Sequence, residues 1–148
     1  MSGHAMTKAL AAAAVLLALG AGAQAQAAET VVKMLNKGQN GVMVFEPELV
    51  TVAPGDTVRF VPTDKGHNVE SLKGMLPDGA APFAGKFNEE IVVAFAEPGV
   101  YGYQCRPHYG MGMVGAVVVG EPVNLDEAKA VKQRGRAKKA FERILGGL

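Results

Sequence analysis

A cysteine, a histidine and a methionine lie close together in the run Cys105-Arg-Pro-His108-Tyr-Gly-Met-Gly-Met113. A second histidine, His67, lies upstream. A soft thiolate with two imidazoles and a weakly bound thioether is the ligand set of a blue-copper electron-transfer site. The sequence therefore predicts one copper ion, cycling between Cu(I) and Cu(II), on His67, Cys105, His108 and a thioether, for which Met113 and its neighbour Met111 compete.

The first 27 residues have the features of an export signal. An uncharged apolar run follows Lys8 and is too short to span a bilayer, which disfavours an uncleaved membrane anchor. The small residues after which a cut is possible are Ala23, Ala25 and Ala27. Met6 is an alternative start of translation. Cleavage after Ala27 leaves residues 28–148, a length suited to one small domain with its own core.

Export of the protein would support the predicted metal site in two ways. His4 would leave with the signal, so both remaining histidines belong to the predicted site. In an oxidising compartment the lone cysteine has no partner within the chain for a disulfide. Cys105 is then a buried inert thiol, a link to another molecule, or a metal-bound thiolate, and the neighbouring His108 favours the metal.

Charge is unevenly distributed between two parts of the predicted mature chain. Residues 28–123 carry seven basic and eleven acidic side chains, a net −4, whereas residues 124–148 carry seven basic and three acidic, a net +4. A basic tail could bind nucleic acid or a membrane surface. Its charges are spread along the segment, which is more typical of a solvated helix face, so we expect neither a nucleic-acid partner nor a membrane span.

Residues 30–120 have the pattern of a β protein. Short runs rich in Val, Phe and Tyr are separated by Gly and Pro, as in Pro54-Gly55-Asp56 and Pro98-Gly99. Apolar residues alternate within the runs, which places Val58 with Phe60 on one face of a strand. Many short strands with regularly spaced turns predict an all-β sandwich or barrel, with a loop-like segment over residues 72–89.

After Pro122 the apolar spacing becomes helical. Asn124 is expected to cap a first helix, with Glu127 reaching back to it as in a capping box. Gly135 interrupts the pattern, and a second helix follows. Its apolar stripe recurs at helical spacing: Ala137, Ala140, Phe141, Ile144 and Leu145. This stripe is expected to pack on the outer face of the sandwich, with a partner protein as the alternative.

The Cys-x2-His-x4-Met run, together with the Ala53-Pro-Gly-Asp56 turn and the segment at His67, resembles the cupredoxins. Plastocyanins and pseudoazurins share this run, but plastocyanins lack paired C-terminal helices. Three further runs also resemble the pseudoazurin family: Met34-Leu-Asn-Lys-Gly38, Met43-Val-Phe-Glu-Pro47 and Gly74-Met-Leu-Pro-Asp-Gly79. The resemblance implies a cupredoxin-like Greek-key β-sandwich over residues 28–123, extended within the same domain by two α-helices over 124–148.

The resemblance also implies roles for single residues. His67, Cys105 and His108 would form a trigonal set, and the family spacing favours Met113 over Met111 as the long axial ligand. Asn68 would join the two ligand-bearing segments by hydrogen bonds. The residue expected to pack against the exposed ring of His108 is Met43. Pro107 has no N–H, so one donor to the Cys105 sulfur is missing.

Pseudoazurins are periplasmic one-electron carriers of denitrifying bacteria, so the resemblance implies a monomeric electron carrier and not an enzyme. The implied partners are copper nitrite reductase, other denitrification enzymes and c-type cytochromes. Docking would use an apolar patch and three lysines: Met43, Pro62, Pro107 and Met111, with Lys37, Lys65 and Lys73. This chain has Ala84 and Gln104 where relatives often have lysine.

Three other functions remain open from the residues alone. A thiol enzyme would use Cys105 as nucleophile and a histidine as base, but no acidic residue lies near His108 in sequence to orient it. A copper-storage or delivery protein would carry more than one metal-binding cluster. A purely structural sandwich would retain no metal.

Overall fold

The computed structural model describes residues 25–148. The predicted export signal over residues 1–27 therefore lies almost entirely outside the described residues and stays a prediction. Residues 25–28 are exposed and have no regular structure. No helix among the described residues is long and apolar enough to cross a membrane.

Eight strands form two four-stranded sheets. The strands are β1 (Glu29–Gly38), β2 (Gly41–Glu46), β3 (Leu49–Val52), β4 (Thr57–Val61), β5 (Glu70–Ser71), β6 (Ile91–Ala94), β7 (Gly99–Gln104) and β8 (Val114–Val119). One sheet has the order β2-β1-β4-β6 and the other β3-β8-β7-β5. The pairs β1–β4 and β3–β8 are parallel, and the other pairs are antiparallel. The predicted all-β sandwich is confirmed.

The core between the sheets is built from the alternating residues that the sequence pattern singled out. Val58 and Phe60 are fully buried, as predicted for one face of β4. The ring of Tyr103 packs edge-on against Phe45 and Phe60, with centroids 4.9 and 5.0 Å apart. Such aromatic contacts fill a sandwich core at high density. They leave the strand ends that carry the site little freedom to move.

Two helices follow the sandwich, α1 (Leu125–Ala130) and α2 (Gly135–Leu145). The apolar stripe of α2 is buried against residues of β7 and β8 that point away from the first core, among them Val100, Val114 and Val118. Strand β8 is consequently buried on both faces. The expectation that α2 covers the outside of the sandwich is confirmed, and the stripe needs no partner protein to cover it.

The predicted capping box at the start of α1 is wrong. Asn124 precedes the helix, but its side chain makes no capping hydrogen bond. Its Oδ1 instead accepts from the backbone N–H of Val100 at 2.6 Å, and its Nδ2 donates to the Val100 carbonyl at 3.0 Å. The amide therefore satisfies both backbone groups of one β7 residue and ties α1 to the sheet.

Candidate metal centre

The four predicted ligand residues lie in two connections between strands. His67 lies in the connection from β4 to β5, and Cys105 directly follows β7. His108 precedes a short 3-10 turn, and Met113 directly precedes β8. His67, Cys105 and Met113 are completely buried, whereas His108 is partly exposed. Three donors are thus enclosed by protein, and one reaches the surface.

The donor atoms of His67, Cys105 and His108 converge on one point. Sγ of Cys105 lies 3.7 Å from Nδ1 of His67 and 3.5 Å from Nδ1 of His108, and the two Nδ1 atoms are 3.2 Å apart. Donors held about 2.0–2.3 Å from one ion and about 120° apart lie roughly 3.5–3.8 Å from one another. The triangle is close to that size, so these three side chains can share one small transition-metal ion.

Cys105 and Met113 are brought together by the backbone of the loop between them. The N–H of Cys105 donates to the Met113 carbonyl at 3.0 Å, and the N–H of Met113 donates to the His108 carbonyl at 3.1 Å. Gly112 closes the loop with a left-handed φ of 89°, and a Cβ there would lie 3.3 Å from Arg136 of α2. The loop therefore needs glycine at this point, and α2 supports it from outside.

Asn36, which the sequence analysis passed over, determines the orientation of His67. Its Oδ1 lies 2.8 Å from Nε2 of His67. An amide oxygen only accepts, so Nε2 carries the proton and the Nδ1 lone pair faces Cys105. The backbone N–H of Asn36 donates to Oδ2 of Asp64 at 2.7 Å, which holds the end of β1 against the His67 segment. The only signal in the sequence was the family-like run at residues 34–38.

Asn68 joins the two ligand-bearing segments, as expected. Its Oδ1 accepts from the N–H of Arg106 at 2.8 Å, and its Nδ2 donates to the Gly85 carbonyl at 3.3 Å. Because Asn68 follows His67 and Arg106 follows Cys105, one side chain fixes the spacing of both ligands. Outer partners of this kind are part of a metal site's design.

Burial sets the protonation of the two enclosed donors in the absence of metal. Desolvation, followed by the neighbouring His108, lowers the pKa of His67. Desolvation raises the pKa of Cys105, and the backbone N–H groups of Asn68 and His108 oppose that shift without overcoming it. The site is therefore held as a neutral imidazole beside a neutral thiol, and a metal must displace the thiol proton.

The residues predicted for docking are all at least partly accessible. Met111 is 40% exposed, Pro107 is exposed, and Met43 and Pro62 are partly buried. The three lysines are exposed: Lys37, Lys65 and Lys73. Met111 also lines a groove of about 220 Å³ beside basic residues of α2, including Arg136 and Lys139.

The sequence and the fold match known copper proteins. Residues 32–120 match the protein family described as "Copper binding proteins, plastocyanin/azurin family". Pseudoazurin of Paracoccus pantotrophus is 55% identical over 135 residues, which cover 90% of each chain. The crystal structure of pseudoazurin from Methylobacterium extorquens superposes with a TM-score of 0.78 at 50% identity, over 80% of this chain and 98% of that one. The crystal structure of native pseudoazurin from Hyphomicrobium denitrificans superposes with a TM-score of 0.78 at 49% identity, over 81% of this chain and 98% of that one. The chain therefore belongs to the copper-binding plastocyanin/azurin family, with pseudoazurins as its relatives, and is an electron-transfer protein rather than an enzyme.

Proposed function

We propose that the chain carries single electrons through a type 1 copper centre whose ligands are His67, Cys105, His108 and Met113. The observation that carries the proposal is the triangle of donor atoms, 3.2–3.7 Å on a side, formed by His67, Cys105 and His108. A thiolate, two imidazoles and a distant thioether suit copper in this arrangement. Met113 is assigned by its burial and by its backbone contact with Cys105.

Bound copper supplies the one-electron couple between Cu(II) and Cu(I). The protein's contribution is to hold one set of donors that suits both oxidation states. Hydrogen bonds hold two of the ligands in place: Asn36 orients the ring of His67, and the Cys105 segment is held by Asn68, through the Arg106 peptide, and by the Met113 carbonyl. Little rearrangement then accompanies electron transfer. The buried ligands also exclude water from all but one side.

Electrons enter and leave through the ring of His108 in this proposal. It is the only one of the four ligands that is not buried, so its edge comes nearest to a partner surface. Met43, Pro62, Pro107 and Met111 supply apolar contact. Lys37, Lys65 and Lys73 supply positive charge for an acidic partner, whose approach such charges accelerate.

The partner is a periplasmic redox protein in this proposal, and the carrier acts as a monomer. A copper nitrite reductase of denitrification is the first candidate, with other denitrification enzymes and c-type cytochromes as further ones. The support is the similarity to pseudoazurins and the export signal predicted from residues 1–27. A thiol enzyme is disfavoured because a nucleophilic cysteine needs a lowered pKa, whereas burial raises that of Cys105.

Visible spectroscopy of the purified protein tests the copper centre. With one equivalent of Cu(II), we expect an intense blue thiolate-to-copper band that disappears on reduction, and one copper per chain by elemental analysis. Cys105→Ala removes the sulfur donor and should abolish the band. Met111→Ala is a matched control at an exposed sulfur in the same loop and should stay blue. An intense band in Cys105→Ala, or none in the unaltered protein, would contradict the proposal.

A further inference from the structure

A nearly buried carboxylate lies beside the predicted copper site. Glu70 begins β5, where it pairs with Gln104 of β7 across the sheet. Its side chain is only 12% exposed. Its Oε1 accepts from Nε2 of Gln104 at 2.8 Å and from Nε of Arg106 at 3.1 Å. Its Oε2 accepts from Nη2 of Arg106 at 2.5 Å and from Nδ2 of Asn68 at 3.4 Å.

These donors flank the metal ligands in both segments. Gln104 precedes Cys105 and Arg106 follows it, so Glu70 holds the cysteine from both sides. Asn68 follows His67, and its Oδ1 also accepts from the backbone of Arg106. Movement of Cys105 relative to His67 would therefore break several charge-assisted bonds at once. Bidentate arginine–carboxylate pairs are the most directional bonds of this kind.

A second pair of the same form lies elsewhere on the protein. Nε and Nη2 of Arg143 in α2 donate to the two carboxylate oxygens of Glu48 at 3.0 and 2.7 Å. The Glu48 side chain is 16% exposed, close to the value for Glu70. Glu48 therefore has the burial and paired arginine bonds of Glu70, but its carboxylate accepts them from a residue of α2 and not from a residue adjacent to Cys105 or His67.

We propose that Glu70 is a positioning residue of the copper centre: by gripping Gln104, Arg106 and Asn68, it holds the Cys105 sulfur at a set distance from His67 in both oxidation states. This inference rests on the proposed function, since it concerns the same site. Arg106, whose side chain is 66% exposed, acts through Glu70 and also balances its charge near the metal.

Paired variants of Glu70 and Arg106 distinguish an effect of charge on the copper site from the positioning of Cys105. Glu70→Gln removes a negative charge near the site, which favours the reduced ion and raises the reduction potential. Arg106→Gln removes a positive charge and lowers it. Loosening of Cys105 instead changes the rate of copper loss in the same direction in both variants, because each variant breaks the same pair of bonds. Arg106→Lys keeps the charge but loses the planar fork that binds both carboxylate oxygens.

The test compares copper-loaded wild type, Glu70→Gln, Arg106→Gln, Arg106→Lys and Glu48→Gln. We expect copper loss to a chelator to be about tenfold faster in Glu70→Gln and faster in both Arg106 variants, as is typical when an outer partner of a metal ligand is removed. The intensity ratio of the thiolate charge-transfer bands should change in the same variants. Glu48→Gln should match wild type in both readouts, although its melting temperature falls.

Two results would overturn the inference. In the first, Glu70→Gln and Arg106→Gln shift the potential in opposite directions but lose copper at the wild-type rate. The charge of Glu70 would then be its only effect on the site. In the second, Glu48→Gln loses copper as fast as Glu70→Gln, and general destabilisation of the fold would then explain both losses. Arg106→Lys keeps the test usable if Glu70→Gln does not fold, because it alters only an exposed side chain. A wild-type protein without a blue band would instead contradict the proposed function itself.

Discussion

Oδ1 of Asn36 accepts a hydrogen bond from Nε2 of His67 over 2.8 Å and thereby determines which ring nitrogen faces Cys105. The two residues are 31 positions apart in the chain. The bond fixes the tautomer of a fully buried imidazole before any metal arrives. Asn36 is therefore part of the site, although it cannot reach the metal.

Replacing Asn36 should weaken copper binding. Asn36→Ala leaves the buried Nε2–H without an acceptor and allows the ring to change tautomer, so we expect a 10- to 100-fold loss of copper affinity. Competition with a chelator measures it. Asn40→Ala, at an exposed position just beyond β1, is the control and should bind as wild type does. Equal affinities for the Asn36 variant and this control would refute the role.

The identity of the axial thioether can be read from the reduction potential. Met113→Gln should keep copper but lower the potential, because an amide oxygen is harder than sulfur and favours Cu(II) over Cu(I). Met111→Gln is the matched variant in the same loop and should leave the potential near the wild-type value. Voltammetry that gave the reverse pattern would assign the axial position to Met111.

The metal-free protein should be most stable between about pH 6.5 and 8.5, the ordinary pKa values of histidine and cysteine. The pKa of His67 is lowered in the fold, so the unfolded chain binds more protons and stability falls as pH drops below about 6.5. The pKa of Cys105 is raised, so the unfolded thiol ionises first and stability falls as pH rises above about 8.5.

Thermal unfolding of the metal-free protein at pH values below, within and above this range measures both declines. Cys105→Ser removes the group responsible for the alkaline decline, and the loss of stability above about pH 8.5 should become smaller. An alkaline decline of the same size in this variant would mean that another group causes it.

Basic steering predicts that electron transfer to an acidic partner slows as salt increases. Lys65→Glu should lower the second-order rate several-fold at low ionic strength and flatten its dependence on salt. Lys129→Glu makes the same charge change on α1, whose start is tied to Val100 at the far end of β7 from Cys105. Stopped-flow rates for the two variants separate local steering from net charge. Equal effects of both would indicate that net charge alone matters.

Short-range patterns were enough to predict the fold class and the composition of the site. Alternation along β4 and the helical stripe of α2 depend on spacings of two to four residues, so both could be recognised without coordinates. The ligands likewise lie in two short segments, one around His67 and one from Cys105 onward. Their donor types alone indicate soft-metal chemistry.

Contacts between distant parts of the chain were decided by the tertiary structure. The capping box at Asn124 was a reasonable local expectation, but the side chain found backbone partners on Val100, 24 residues away. Asn36 meets His67, and Glu70 meets Arg106, only because strand pairing brings their ends together: β1 beside β4, and β5 beside β7. Local periodicity determines which face a residue occupies. The register between strands depends on the packing of the whole sandwich, and it selects the neighbours that orient each ligand.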